Sequence, residues 1–145
     1  MENILGQTGR VTLQKKPAEI NPLLLAYLGD AVYELFVRYH LLARGESRPN
    51  AIHQEAVRFV SARAQAEVVR RVELWLTEEE KDVLRRGRNT KSGSVPKNVK
   101  MVDYRYSTGL ETLVGYWYLT GQTERLTEAM TRVIETLEGD VDHGE

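Results

Sequence analysis

Apolar positions along this chain recur at helical spacing, and no run of four to eight residues alternates cleanly between apolar and polar positions with a turn at each end. This pattern predicts an all-α fold. The first long helix should begin after Asn21, a helix-capping residue followed by Pro22 in the first turn, and should end before Gly45.

Further helices are predicted from the same kinds of start and stop signals. Thr77 and Glu80 form a capping-box pattern, and Gly87 is placed to end the helix that follows. The segment 88–98 is rich in glycine, serine and proline and is typical of a loop. The expected spans are 49–60, 61–75, 78–86, 103–121 and 123–139, within a domain at 21–139 that lies between an N-terminal segment (1–20), partly disordered, and an acidic C-terminal tail (140–145).

Composition agrees with one ordinary domain, since the 145 residues include 20 Lys and Arg, 21 Asp and Glu, and no Cys. Disulfides, thiolate metal sites and cysteine nucleophiles are thereby excluded. The first twenty residues lack an apolar secretory signal, and the apolar stretch 23–42 is interrupted by Asp30, Glu34 and Arg38, which a membrane span would not tolerate. We therefore expect a cytoplasmic protein with no membrane partner.

The charge is neutral only as an average. Residues 85–100 contain six basic residues and no acid, while acids are concentrated in 77–82 and 122–145. A basic segment in a neutral protein is either a solvated face or the binding surface of a localised anion such as phosphate. The mixture of guanidinium, amide and hydroxyl donors with a glycine favours phosphate binding, and the lack of interleaved aromatic residues favours a duplex over a single strand.

Two acids stand at unusual positions. Asp30 is the only charged residue between Pro22 and Tyr33, and Glu111 is the only one between Tyr106 and Gly121. Each could be solvated, or paired with an arginine such as Arg38 or Arg105. Two isolated carboxylates on rigid helices could instead share a Mg²⁺ ion, which binds through one or two carboxylates together with water and substrate phosphate.

Several motifs resemble the ribonuclease III family. Leu28-Gly29-Asp30-Ala31 is similar to the core of the family signature, and residues 110–115 (LETLVG) are similar to its second acidic helix. The order and spacing of four further motifs resemble the Mini-ribonuclease III group of that family, which lacks a separate double-stranded-RNA-binding domain. These motifs are 61–66 (SARAQA), 86–93 (RGRNTKSG), 96–98 (PKN) and 104–108 (YRYST).

The resemblance implies a homodimeric helical bundle that binds double-stranded RNA across both protomers. It further implies Mg²⁺-dependent hydrolysis to 5′-phosphate products, typically in maturation of the 23S ribosomal RNA precursor, with the assembling large ribosomal subunit as a further partner. Asp30 and Glu111 take the positions of the catalytic, metal-binding acids. The expected RNA-binding residues are Arg63, Gln65, Arg85, Arg86, Arg88, Asn89, Lys91, Ser92, Lys97, Asn98 and Arg105.

Two further positions depart from the four-carboxylate pattern of full-length members of the family. Ala26 and Thr108 occupy them, as in the Mini group, and neither can supply a carboxylate. This departure keeps an alternative open, in which the same fold serves as a catalytically silent RNA-binding or ribosome-assembly module. A helical interaction scaffold that uses the acidic tail is a further alternative.

Overall fold

A computed structural model of the chain describes Leu5, residues 12–90 and residues 94–143. All regular secondary structure in these residues is helical, which confirms the all-α prediction. Short 3-10 helices at Pro17–Glu19 and Glu73–Trp75 accompany the α-helices. The α-helices are α1 (Pro22–Ala43), α2 (Pro49–Val60), α3 (Ala62–Val72), α4 (Glu78–Asn89), α5 (Met101–Leu119) and α6 (Thr123–His143).

The predicted capping residues stand at the helix ends. The Asn21 side chain accepts a hydrogen bond from the Leu23 N–H (2.9 Å), and Gly45 follows α1 with a φ of 93°. At the start of α4, the Glu80 N–H donates to Thr77 Oγ1 (3.1 Å) and the Thr77 N–H donates to Glu80 Oε1 (2.9 Å). This reciprocal capping box fixes the first turn of α4.

Two glycines were expected to end helices and do not. Helix α4 continues through Gly87 to Asn89, because Gly87 serves a contact with α5: a Cβ atom there would overlap the Thr112 hydroxyl. Helix α6 continues through Gly139 to His143, and a Cβ atom at Gly139 would meet nothing within 4 Å. Arg88 and Asn89, expected in a loop, therefore lie on a helix.

Helix α5 lies at the centre of the bundle, begins two residues earlier than predicted, and packs against α1, α3 and α4. Its side chains Leu113, Val114 and Trp117 are almost completely buried. The contact with α1, hereafter the glycine crossing, is close because glycines face main chain on both helices. A Cβ atom at Gly29 would overlap the Glu111 carbonyl oxygen, and one at Gly115 would overlap the Leu25 carbonyl oxygen.

Helix α1 also leaves one apolar face uncovered. Five large side chains, hereafter the α1 stripe, lie along one side of it and are between 62% and 83% exposed. Their spacing of three, eight, four and three residues keeps them on a single face of the helix. The stripe consists of Leu24, Tyr27, Leu35, Tyr39 and Leu42. Among the described helices, none combines the length and apolar character needed to cross a membrane.

Candidate active site and nucleic-acid interface

Asp30 on α1 and Glu111 on α5 face each other at the glycine crossing. Their carboxyl groups lie close enough to interact. Burial raises the pKa of Glu111 to about 9, and the adjacent Asp30 carboxyl acts in the same direction, with a smaller effect from Glu34. Asp30 itself is exposed. The two acids that the sequence singled out thus form one pair, with one carboxyl partly buried and the other open to solvent.

Neither Asp30 nor Glu111 forms an ion pair with an arginine among the described residues. Arg38 forms its ion pair with Glu34, one turn along α1 from Asp30, at 3.4 Å. Arg105 has no ion pair within the described part of the chain. Instead, the neighbours of Glu111 that bear on its ionisation are the Asp30 and Glu34 carboxylates and the Gln65 amide.

Gln65 lies beneath the acid pair. The sequence places it among the RNA contacts, but its side chain is 0% exposed, so the structure gives RNA no access to it. Ser107 Oγ donates to Gln65 Oε1 (2.6 Å), and Gln65 Nε2 donates to the Val60 carbonyl (3.3 Å). The amide also interacts with Glu111 and favours its ionised carboxylate. Sequence reasoning identified the residue but not its surroundings, and it did not identify Ser107.

The basic residues of α4 make contacts of several kinds. Arg85 is ion-paired with Asp82, and Arg86 Nη2 donates to the Ala18 carbonyl (3.2 Å). The Arg88 guanidinium lies 5.6 Å from the centre of the Tyr106 ring and also bonds to Asn89. Lys91 and Ser92 lie outside the described residues.

A second group of cations is exposed and has no carboxylate partner among the described residues: Arg63, Lys97, Lys100 and Arg105. Arginines elsewhere commonly pair, as Arg44 does with Glu138 (2.7 Å). A cleft of about 430 Å³ brings Arg63 together with Asn98 and Lys100, and Asn98 takes a left-handed φ of 66°. Lys100 was not singled out from the sequence, although it ends the basic run.

The donor set at the acid pair suits a hard divalent cation. Within the described residues, no cluster of three or more His, Cys, Asp or Glu side chains could hold a metal. Ala26 is buried and Thr108 donates its hydroxyl to the Tyr104 carbonyl (3.0 Å), so neither adds a carboxylate. Two carboxylates, one of them open to solvent, fit an ion that takes its remaining ligands from water and phosphate.

Comparison with known proteins identifies a family whose members resemble this chain. Residues 23–122 match the Ribonuclease III domain family. Curated relatives named Mini-ribonuclease 3 include one from Brevibacillus brevis, 48% identical over 88% of this chain and 96% of the relative. Another, from Symbiobacterium thermophilum, is 50% identical over 84% of this chain and 94% of the relative.

A solved structure shows a similar fold. The X-ray crystal structure of a protein from Fusobacterium nucleatum superposes with a TM-score of 0.76 at 28% sequence identity, over 85% of this chain and 98% of that one. The matched family segment contains both acids of the pair, the glycine crossing and the unpaired cations. The chain therefore belongs to the ribonuclease III family of endoribonucleases.

Proposed function

We propose that the chain is a Mg²⁺-dependent endoribonuclease that hydrolyses double-stranded RNA to 5′-phosphate products. The observation that carries the proposal is the facing pair of Asp30 and Glu111 across the crossing of α1 and α5, within the segment that matches the family. The family acts on double-stranded RNA and generally uses a divalent metal. We extend to this chain the role that the resemblance implies, maturation of the 23S ribosomal RNA precursor in the cytoplasm.

Asp30 and Glu111 are the residues that would hold the cation. When bound, Mg²⁺ would supply an activated water molecule and stabilise negative charge on the phosphate. Asp30 faces solvent and is the carboxylate that substrate and water can reach, whereas Glu111 is held from below by the Gln65 amide. Because positions 26 and 108 carry no carboxylate, water and RNA phosphate oxygens would complete the ligand set.

The unpaired cations support a duplex substrate. Arg63, Lys97, Lys100 and Arg105 come from α3, the segment before α5, and α5 itself, and all are exposed. A-form RNA presents phosphates and 2′-hydroxyls rather than readable base edges, so a surface of unneutralised cations suits it. Cations without carboxylate partners are also free to replace the counterions that RNA releases on binding.

The α1 stripe supports a homodimer as the working form. It runs about 27 Å along the helix, at 1.5 Å per residue, and the charged residue on the same side, Arg38, is ion-paired with Glu34 (3.4 Å). A second copy of the same stripe would bury it symmetrically. Tyr27 lies one turn before Asp30, so a dimer formed there places two acid pairs near one interface, one for each RNA strand.

A silent RNA-binding or ribosome-assembly module is the competing proposal. It is favoured by one observation, the loss of two carboxylate positions to Ala26 and Thr108. Both proposals require the same basic surface, so RNA binding does not separate them. Metal-dependent turnover does.

The first test compares wild-type protein with Asp30→Asn on a long duplex RNA, with Mg²⁺ and with a chelator. We expect wild type to cut only with the metal and the variant to lose about a thousandfold in rate, because the solvent-facing ligand is gone. Single-stranded RNA and duplex DNA are the substrate controls, and the variant control is Glu78→Gln, an exposed acid at the far end of α4. A wild type that cuts no duplex RNA would leave the silent module as the function.

A second test addresses the RNA surface in the Asp30→Asn background, where substrate stays intact. Replacing Arg63 and Lys100 together with Gln should weaken duplex RNA binding about tenfold and lower the salt dependence by about two ions, since two phosphate contacts are lost. Lys81→Gln is the matched control, because Lys81 already pairs with Glu78 (3.4 Å). Equal affinities and salt slopes for all three proteins would contradict this placement of the RNA.

A further inference from the structure

Three buried polar groups meet below the acid pair, on three different helices. Gln65 comes from α3, Ser107 from one turn before Glu111 on α5, and the Val60 carbonyl from the last residue of α2. A fully buried glutamine is unusual because its amide must find partners inside the protein. One of its partners here, Ser107, lies one helical turn before Glu111.

The hydrogen bonds fix which way the amide points. Ser107 Oγ donates to Gln65 Oε1 at 2.6 Å, so the amide oxygen faces Ser107 and the NH₂ group faces away from it. One N–H donates to the Val60 carbonyl (3.3 Å), which is among the last carbonyls of α2 and so lacks an intrahelical partner. The other N–H is left for the Glu111 carboxylate, with which the amide interacts.

The surrounding network favours this arrangement, because a flipped amide would place its oxygen against the Val60 carbonyl oxygen. Tyr33 Oη donates to the neighbouring Phe59 carbonyl (2.6 Å), so that the last two carbonyls of α2 are each satisfied by a side chain. Among the described residues, no buried side-chain nitrogen or oxygen lacks a partner. Rotation of the Gln65 amide would break the Ser107 and Val60 bonds together, which a closed network disfavours.

We infer that Gln65 is a positioning residue, oriented by Ser107, which holds the Glu111 carboxylate directed at Asp30 in the geometry that receives a divalent cation. The inference rests on the proposed function, because it concerns the cation site of that reaction. Gln65 touches neither RNA nor the reacting phosphate and acts through Glu111. Partners that orient a metal ligand in this way commonly change metal affinity by tenfold or more when they are lost.

The test measures cation binding directly as well as turnover. Mn²⁺, a hard cation with a free-ion EPR signal, is titrated into metal-free protein. Gln65→Met keeps the volume but removes both amide functions, and it should weaken Mn²⁺ binding about tenfold. The Mn²⁺ concentration for half-maximal cleavage should rise by a similar factor, while the affinity for duplex RNA changes less than twofold. Wild-type Mn²⁺ affinity in a folded Gln65→Met protein overturns the inference.

A second variant covers the case in which Gln65→Met does not fold, as judged by circular dichroism. Ser107→Ala removes only the hydroxyl that orients the amide and should weaken Mn²⁺ binding about threefold. Because Ser107 acts through Gln65, the double variant should bind Mn²⁺ no more weakly than Gln65→Met alone. Additive losses, or unchanged affinity in Ser107→Ala, contradict the orientation mechanism.

The matched control is Thr112→Val on the same helix. Its buried hydroxyl donates to the Thr108 carbonyl (2.7 Å) and the Pro22 carbonyl (3.1 Å) but not to Gln65, so Mn²⁺ affinity should stay at the wild-type value. If wild type binds Mn²⁺ no better than Asp30→Asn, the cation site and the inference both fail. If Mn²⁺ binding responds to Gln65 as expected but no duplex RNA is cut, the proposed function fails and the positioning role stands.

Discussion

Glu80 is buried on α4 and Glu111 is half-buried on the neighbouring α5, yet their pKa values move in opposite directions. Burial raises the pKa of both. Around Glu80 the raising effect is outweighed by donors from Arg125, the Thr77 N–H and the Trp117 indole, which hold its pKa at about 2. Glu111 faces another acid instead, so its ionised form costs stability, as expected of a group placed for function.

Glu80 should therefore make the fold sensitive to acid. Its carboxylate accepts from Arg125 Nε and Nη2 (both 2.7 Å) and from Trp117 Nε1 (2.9 Å). The folded pKa lies below the unfolded one, so the stabilisation is complete above about pH 5 and is lost as the pH falls toward 2. We expect Glu80→Gln to lower the free energy of unfolding at pH 7 by about 2 kcal/mol, less than the full shift would give because Arg125 is partly exposed.

Urea unfolding of wild type and Glu80→Gln between pH 7 and pH 2.5 measures this effect. The difference in the free energy of unfolding between the two proteins should be constant near neutrality and shrink below about pH 4.5. Glu78→Gln is the control in the same turn, since the Glu78 side chain is 92% exposed and should contribute almost nothing. A difference that stays undiminished at pH 2.5 would show that Glu80 is not the titrating group.

The sequence was sufficient to single out the two acids that meet in the fold, but not to predict what surrounds them. Asp30 and Glu111 stood out because each is an isolated charge in an apolar helix, and the structure brings them together. Gln65 was assigned to the RNA surface together with Arg63, with which it shares the motif 61–66 of the family resemblance. Neighbours in sequence point to different sides of a helix, and only the packing of α3 on α5 turns Gln65 inward and leaves Arg63 exposed.

At the scale of helices, a glycine can either end a helix or allow two helices to pack closely, and the sequence does not distinguish these two roles. Gly45 ends α1 in the left-handed region, as predicted. Gly87 gives the same signal within the sequence but lies inside α4, where it admits Thr112 of α5. The difference at Gly87 lies in its tertiary neighbour, so the existence of α4 could be predicted from the chain while its end could not.

Gly29→Ala tests the crossing of α1 and α5. The added Cβ atom would overlap main-chain atoms of Glu111 and lie 2.8 Å from the Gly115 nitrogen, and backbone cannot rotate aside as a side chain can. We expect the free energy of unfolding to fall by about 3 kcal/mol or more, with loss of cleavage at temperatures where the variant is still folded. Thermal unfolding followed by circular dichroism, beside the duplex cleavage assay, measures both.

The control for Gly29→Ala is Gly139→Ala in α6. A Cβ atom at Gly139 meets nothing within 4 Å, so alanine should raise stability by about 0.5–1 kcal/mol through helix propensity alone. Opposite signs for two identical substitutions in helices would isolate the close crossing as the cause. If Gly29→Ala had the same unfolding midpoint as wild type, the close main-chain contact at Gly29 would be contradicted.

At the scale of the whole molecule, the α1 stripe is an apolar surface that other helices of the same protomer do not cover. Leu35→Asp places a charge in the middle of the α1 stripe, at a side chain 66% exposed in the protomer. We expect wild type to sediment as a dimer and the variant as a folded monomer with strongly reduced duplex cleavage, because a charge in an apolar interface has no partner. Analytical ultracentrifugation with the cleavage assay measures both properties.

Leu74→Asp supplies the comparison for the dimer test. Leu74 is 94% exposed in the 3-10 helix after α3, off the α1 stripe, and its replacement should change neither mass nor activity. Should Leu35→Asp remain a dimer while keeping full activity, the two protomers associate through another surface.

The glycine crossing also separates the geometry of the acid site from its chemistry. Main chain touches main chain at Gly29 and Gly115, so the separation of positions 30 and 111 does not depend on what their side chains are. Imidazoles exchanged for both carboxylates would stand on the same scaffold and offer nitrogen donors, which prefer zinc or cobalt to magnesium. The backbone thus fixes the distance between positions 30 and 111, and the two side chains at these positions determine which metal is preferred.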